Sequence, residues 1–419
     1  MTVYVTNAVG ANNTIVLDGS SKIPAIDGSQ VTALSATAFT TGTLATARID
    51  VGTTAGKILQ LDGSARIPAL NGANLVNAPG PTNSTSDPAT DTNSTLGAKW
   101  INKTSGEVYI CTDATTDANV WTNVGAGSGD VQPYFYQGSS YGYTSGGFNG
   151  GAKDVIDKYS FSADTNATDV GNLTVARWSM GNGGVSQTYG YNCGGVTPTQ
   201  MNTIDKFSFT SDGNSADVGD MTAAWSEGSV GSCETHGFYA GSGSGAGSNL
   251  IHRISYSSDG NATDSGSDLT AGRDGTGASS STTHAYWMGG GGAGFDVIDK
   301  LAFSSSGHAT DVGNLTVARS SSGCGLSSTT HGYNAGGDGT NNIDKWSFSS
   351  DGNATEVGDM TRSEKVGATS STTHGYMAGG GSGNGTNLIE KFAFATDGNS
   401  ADTTADLTVA RREADSTQV

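Results

Sequence analysis

The chain has 419 residues, 64 of them glycine, with 34% hydrophobic and 14% charged residues and a formal net charge of −19. That balance excludes a basic nucleic-acid-binding face and direct attraction to an anionic membrane surface. No apolar run is long enough to insert into a membrane as a spanning helix. The opening MTVYVTNAVG has neither a basic n-region nor an apolar h-region, so no secretory signal is read there. Cys111, Cys193, Cys233 and Cys324 form no CxxC pair, which implies synthesis in a reducing cytosol and neither a disulfide framework nor a redox motif. Abundant Ser, Thr, Asn and Gly favour short strands and tight turns, and no helical spacing of apolar residues persists beyond a turn or two.

Residues 1–80 contain an internal repeat. LDGSSKIPAIDGSQVTAL from Leu17 matches LDGSARIPALNGANLVNA from Leu61, with TGTLATARIDVGTTAGKILQ between them. One copy is too thinly hydrophobic to bury a core of its own, whereas several identical chains wound about an axis bury one jointly. The pattern, ILQLDGSARIPALNGANL above all, resembles stem repeats of bacteriophage tail fibres. That resemblance implies an intertwined trimeric β stem whose N-terminus attaches to other tail or baseplate proteins of a virion.

Residues 81–91, PTNSTSDPATD, read as a linker. From Thr95 to Gly125, Trp100, Tyr109 and Trp121 alternate with polar residues across two turns, the pattern of a small antiparallel β module. The run W-x-N-x-T-S-G-x-x-Y-x-C resembles connectors in phage fibres. The linker and connector together make a domain at 81–126, and residues 126–130 read as a neck.

The remainder, 127–419, is built on a repeat. Its marker is IDKYSF at Ile156, IDKFSF at Ile204, IHRISY at Ile251, IDKLAF at Ile298, IDKWSF at Ile343 and IEKFAF at Ile389, at intervals of 45 to 48 residues. Each is preceded by an aromatic and glycine segment such as HGYNAGG from His331, and followed by a turn such as SSDGNATDVG, a Leu-Thr or Met-Thr pair and, in most units, an arginine. Asp-Gly between strand-like runs marks a hairpin. Each unit therefore predicts four short strands: a (small residues), b (HGYxAGG), c (IDKFSF) and d (ATDVGNLT). Four strands in such a repeat make one propeller blade. Strand a belongs at the crowded centre, and Tyr143, Tyr191, Phe238, Tyr286, Tyr333 and Tyr376 of strand b belong between blades.

The recurring arginine, the aromatic before a double glycine and the final strand resemble the kelch repeat over about residues 138–419. The sequence departs from that pattern in lacking a tryptophan on strand d and in carrying Trp225 where the second unit should have arginine. The expected fold is all-β: a trimeric stem, an antiparallel connector and a six-bladed kelch-like β-propeller. Two segments are candidates to supply strand a of the first blade: the C-terminal READSTQV, which would close the ring without a free edge, or VQPYFYQGS from Val131.

Chemistry-bearing residues point to structure more than to catalysis. His236, His284, His331 and His374 open strand b in four units, with Tyr141 and Tyr189 in the other two. They suit either a ligand ring or a repeated structural niche, and repetition favours the niche. The Asp-Lys pairs of strand c (Asp157/Lys158, Asp205/Lys206, Asp299/Lys300, Asp344/Lys345) have side chains on opposite faces and suit pairing between blades or strands. SDGNATD lacks the spacing of a calcium loop. No catalytic residue, metal site or cofactor is predicted.

The functional expectation rests on variation against the repeat. The c–d turns are nearly uniform, whereas the b–c loops differ, and b–c loops share one end of the ring with the d–a connections. The residues expected to bind a ligand are Phe148, Asn149, Thr199, Gln200, Phe295, Asn341 and Asn384 on these loops, with Tyr239 and Trp287 on strand b either as aromatic platforms or, as second-strand residues more often are, packed between blades. The resemblance to phage fibres implies a homotrimer in the virion tail, assembled in the host cytoplasm, adhering to a host surface glycan or outer-membrane component. A purely structural appendage and a glycan-degrading tailspike are the alternatives.

Overall fold

The computed structural model describes residues 80–125 and 134–419, apart from 182, 242, 244–246, 292–293, 321–323, 338 and 364–365. The expected stem up to residue 79, the neck at 126–130 and part of the loop from Ser244 lie outside the described residues. Every regular element among the described residues is a strand.

β1 (Thr82–Ser84), β2 (Lys99–Asn102), β3 (Val108–Asp113) and β4 (Val120–Asn123) form one four-stranded sheet in that order. Tyr109, Cys111 and Trp121 are buried in this module. The expectation of a purely antiparallel module is corrected by β1, which pairs parallel to β2. β1 falls in the expected linker. Its Thr-Asn-Ser carries no apolar signal, and the 85–98 connection is long enough for the crossover a parallel pair needs.

The rest is six four-stranded antiparallel sheets. The first holds β5 (Tyr141–Ser145), β6 (Lys153–Ser160) and β7 (Thr168–Arg177), and the second β8 (Gly184–Val185), β9 (Tyr189–Cys193), β10 (Met201–Ser208) and β11 (Ala216–Trp225). The third holds β12 (Ser229–Ser232), β13 (His236–Ala240), β14 (Ser248–Ser255) and β15 (Thr263–Arg273), and the fourth β16 (Gly277–Ser280), β17 (His284–Met288), β18 (Phe295–Ala302) and β19 (Thr310–Arg319). The fifth holds β20 (Cys324–Ser327), β21 (His331–Ala335), β22 (Asn342–Ser347) and β23 (Thr355–Asp359). The sixth holds β24 (Gly367–Ser370), β25 (His374–Ala378), β26 (Thr386–Ala393) and β27 (Ala401–Arg411). β28 (Asp415–Gln418) pairs antiparallel with β5 and completes the first sheet. The C-terminal strand is therefore strand a of the first sheet. The described part of the rival segment, from Tyr134, runs instead across the ends of the a strands, bonded to Val185, Ser328 and Ser370 of three sheets.

The a strands neighbour one another in cyclic order, which gives a β-propeller-like ring. Their residues are small and buried. Serine hydroxyls join them: the N–H groups of Val185, Ser232, Ser280 and Ser327 each donate to the Oγ of a serine on the next a strand, at 2.9–3.0 Å. Further out, each strand-b aromatic packs on a ring at the end of the next sheet's strand c. Tyr143 meets Phe209, Tyr191 meets Tyr256, Phe238 meets Phe303, Tyr286 meets Phe348, Tyr333 meets Phe394 and Tyr376 meets Phe161, with centroids 4.5–5.5 Å apart. Such a pair adds about 0.5–1.5 kcal/mol beyond its area burial, and the sixth pair returns to the first sheet.

The arginine that ends strand d reaches the acid of strand c in the next sheet. Arg177–Asp205 (3.0 Å), Arg273–Asp299 (2.8 Å), Arg319–Asp344 (2.6 Å) and Arg411–Asp157 (2.8 Å) are fully buried ion pairs. Arg362–Glu390 is longer, at 3.9 Å. In all five, a threonine three residues before the arginine, or in one case adjacent to it, also serves the acid. Thr174, Thr270, Thr316 and Thr408 give it both N–H and hydroxyl, as Thr361 does for Glu390. At the junction of the second and third sheets both partners differ together: Trp225 packs edge-on to His252 at 4.2 Å, and Thr222 bonds the imidazole. Burial pulls the His252 imidazole down to about 4, so this junction is uncharged at neutral pH. The expected structural pairing of strand-c Asp is thus found, across sheets and with arginine.

The c–d turns form a second clamp. Strand-c lysines Lys158, Lys206, Lys300, Lys345 and Lys391 pair with Asp212, Asp259, Asp351, Asp397 and Asp164 on the turn of the following sheet. The turn's Asn accepts an N–H from the preceding strand d, as Asn214 does from Asn172 and Asn353 from Asn314. A Cβ at Gly171 would fall onto the Gly213 carbonyl, so the strand-d glycine permits this close approach.

Two outcomes follow from these junctions. Asp205→Ala strands a buried guanidinium and lowers unfolding free energy by about 3–5 kcal/mol in a denaturant titration. Trp225→Arg and His252→Asp each destabilise alone, while the double variant recovers up to about 3 kcal/mol of their sum in a double-mutant cycle. A third concerns β28. Burial pushes the Asp415 carboxyl up to about 8, against hydrogen bonds from Asn192 and the Ser416 N–H and the nearby Arg177. Folded protein then holds a proton that the unfolded chain loses near pH 4, so this contribution to stability is complete below about pH 4 and is lost as pH rises to 8. Melting curves of Asp415→Asn across that window should be flatter with pH than those of the parent.

Candidate functional site

The two ends of the ring are chemically different. At one end lie the a–b and c–d turns and the segment by which the chain reaches β5. The c–d turns there are committed to the clamps just described, which accounts for their uniform sequence. At the a–b turns, Ser186, Ser281, Ser328 and Ser371 accept the N–H that opens strand b.

The four repeated histidines occupy one niche at this end. His236, His284, His331 and His374 each have Nδ1 at 2.8–2.9 Å from the hydroxyl of the preceding threonine. Desolvation by burial, then the neighbouring Arg253, Lys300, Lys345 or Lys391, holds each below the usual histidine range. In the first two sheets Tyr141 and Tyr189 take the place, with Lys158 and Lys206 at 4.4 and 4.5 Å from their ring centroids. The position thus sets an aromatic ring beside the strand-c cation. Among the described residues no three His, Cys, Asp or Glu side chains are grouped to hold a metal ion.

The other end carries the b–c loops and d–a connections. Glycines open the b–c loops: Gly146 and Gly147 have φ of 63° and 102°, a region open to few other residues. In the d–a connections whose residues are described, the second residue after the strand-d arginine position also has positive φ: Ser179 (55°), Glu227 (63°), Gly275 (62°) and Glu413 (55°). Their backbones are chained, with Ser179 N–H donating to Glu413, Glu227 N–H to Ser179 and Gly275 N–H to Glu227. The Ser179 hydroxyl also donates to the Glu413 carboxylate at 2.7 Å. This chain of left-handed residues turns strand d of one sheet into strand a of the next and carries carboxylates to the mouth of the ring.

Beside it stands the most distinctive cluster of this end. Phe148 on the first b–c loop meets Trp178 edge-on at 5.4 Å, and the Arg412 guanidinium lies 5.2 Å from the Phe148 centroid. Phe148 and Trp178 are both partly exposed. Arg412 is fixed by the Gly383 carbonyl and by an ion pair with Glu413. Asn149 donates to Ala410, and Asn384 accepts the Gly150 N–H, so loops of the sixth and first sheets are tied together. Three expected residues, Phe148, Asn149 and Asn384, therefore converge in one place.

The others do not join them. Gln200 bonds Ser226 and the Gly243 carbonyl between the second and third sheets, and Thr199 is exposed on the same loop. Phe295 lies at the fourth sheet, 6.0 Å from Arg273, and Asn341 donates to Met360 in the fifth. Tyr239 and Trp287 are corrected as surface platforms: they are 1% and 0% exposed. Tyr239 packs against Tyr191 and Ile204 of the preceding sheet and its hydroxyl accepts the N–H of Gly228, just before its own strand a, while the Trp287 indole donates to Ser229 of the preceding sheet. Strand b is covered on both sides, which a pattern of alternation along one strand does not reveal. Trp178, Arg412 and Glu413 were not singled out from sequence. The signal was their place just after strand d, where the large side chains Trp178 and Arg412 interrupt short connections rich in Ser and Gly.

No known family model and no curated protein matches the chain. In a proton NMR titration His236, His284, His331 and His374 should all titrate below the ordinary imidazole value near 6.5; an upward shift at any of them would contradict the desolvated niche.

Proposed function

We propose that this chain is a bacteriophage tail-fibre protein that attaches the virion to its host through its C-terminal ring, a six-bladed kelch-like propeller. In this reading residues 1–80 wind as a homotrimeric stem whose N-terminus joins tail or baseplate proteins, and residues 81–126 connect stem to head. The host ligand is a surface glycan or an outer-membrane component. The task is adhesion without catalysis, and three heads add their contacts by multivalency.

The observation that supports the reading best is the contrast between the two ends. At one, uniform turns are consumed in sheet-to-sheet clamps. At the other, irregular loops present Phe148 and Trp178 partly exposed, with Arg412 fixed beside them. Exposed aromatics on loops held by a rigid scaffold suit recognition.

The test is binding of labelled full-length protein to candidate host cells. Phe148→Ala with Trp178→Ala should lower cell binding at least about tenfold, equivalent to about 1.4 kcal/mol, with an unchanged melting temperature. Unaltered binding by a folded double variant would reject this surface, and a monomeric mass for the full chain would reject the stem.

A further inference from the structure

Where the chain enters the ring, the six-fold pattern of a–b turns is interrupted. The place of one turn is taken by the end of β28 and the segment from Tyr134, which are not covalently continuous. A cleft of about 430 Å³ opens there, lined among others by Phe135, Gln137, Gln187, Thr188, Thr372 and Gln418. Its volume falls in the range of small-molecule sites.

Three properties define what it would hold. Phe135 presents an aromatic face at 49% exposure, although its neighbours Tyr134 and Tyr136 are buried. The polar lining is otherwise amide and hydroxyl: among the described residues no Asp, Glu, Lys, Arg or His side chain contributes, in a chain of net charge −19. The lining is also set in advance. The Tyr134 hydroxyl donates to Val185, the Gln137 amide to Ser328 and the Gln418 amide to Tyr136, at 2.7–2.9 Å, and the Ser186 hydroxyl bonds the Tyr189 carbonyl. Buried amides with fixed planes and exposed Gln187, Thr188 and Thr372 offer hydrogen bonds to hydroxyl groups without an electrostatic demand. An aromatic face beside them accepts the C–H face of a pyranose.

We infer that this cleft is a binding site for an uncharged saccharide, separate from the loop-end cluster and on the opposite end of the ring. The aromatic face supplies apolar contact, and the described lining discriminates against uronic-acid sugars by offering their carboxylates no cationic side chain.

The experiment is a printed panel of short neutral oligosaccharides of hexoses and N-acetylhexosamines, with uronate-containing counterparts, probed with the full chain and followed by titration calorimetry of the strongest neutral binder. Phe135→Ala and Gln187→Ala, both at exposed positions, should each weaken that binding by about tenfold or more, about 1.4 kcal/mol. Trp178→Ala should leave it unchanged. Absence of binding to every neutral oligosaccharide, a preference for the uronates, or binding indifferent to both cleft variants would overturn the inference. Loss of cell adhesion in the Phe148/Trp178 variant with saccharide binding retained would separate this site from the loop-end surface.

Discussion

The ring depends on a buried cation reaching from one sheet to a buried anion in the next. Arg177, Arg273, Arg319 and Arg411 lie in an environment that pulls guanidinium protonation down by desolvation in the last three, and the facing carboxylates oppose that pull. A buried pair of this kind is weak evidence for net stability, because removing two charges from water offsets much of their attraction. Its consequence is positional. Neither partner tolerates a shifted neighbour, so each junction fixes the angle and height of the next sheet. Trp225 and His252 make the same point by exception: where the cation is absent, the anion is absent too.

Around this pair the rest of each junction follows. The threonine that serves the carboxylate sits on the same strand as the arginine, so one acid receives a guanidinium, a hydroxyl and an N–H. Outward, the lysine and turn aspartate repeat the link at partial exposure, where a pair contributes little by itself. Inward, serine hydroxyls take over as space narrows. Between them the aromatic pairs fill the widening gap. The sheets are therefore held by a graded series of contacts, from hydroxyls at the axis to solvated charges near the turns.

That arrangement explains why one end of the ring is constant in sequence and the other is free. The c–d turn residues carry sheet-to-sheet bonds, so Asp, Gly and Asn recur there, while the a–b turns are closed by their own Ser and Thr side chains. The b–c loops and d–a connections bridge strands whose placement is already determined, and they admit Phe148, Trp178, Gln200 or Phe295 without cost to the junctions. Loops on a fixed scaffold are where recognition residues accumulate. The interruption at Tyr134 has a different origin: a covalent chain must enter a closed ring somewhere, and the point of entry cannot repeat the turn it replaces.

By itself the sequence determined the strands and their order. Ile156, Ile204, Ile251, Ile298, Ile343 and Ile389 mark a local period, and alternation and Asp-Gly turns are properties of a few consecutive residues. The closing role of READSTQV was legible as one of two options, because a missing strand a at the start and a surplus one at the end are visible as an offset in the repeat. The burial of Tyr239 and Trp287 was legible only as one of two options, and the parallel seating of β1, the convergence of Phe148 with Trp178 and Arg412, and the cleft at Phe135 were not legible. Each depends on which surfaces meet across sheets or across the ring's closure. Periodicity reports the face of one strand, and only tertiary packing decides what covers that face.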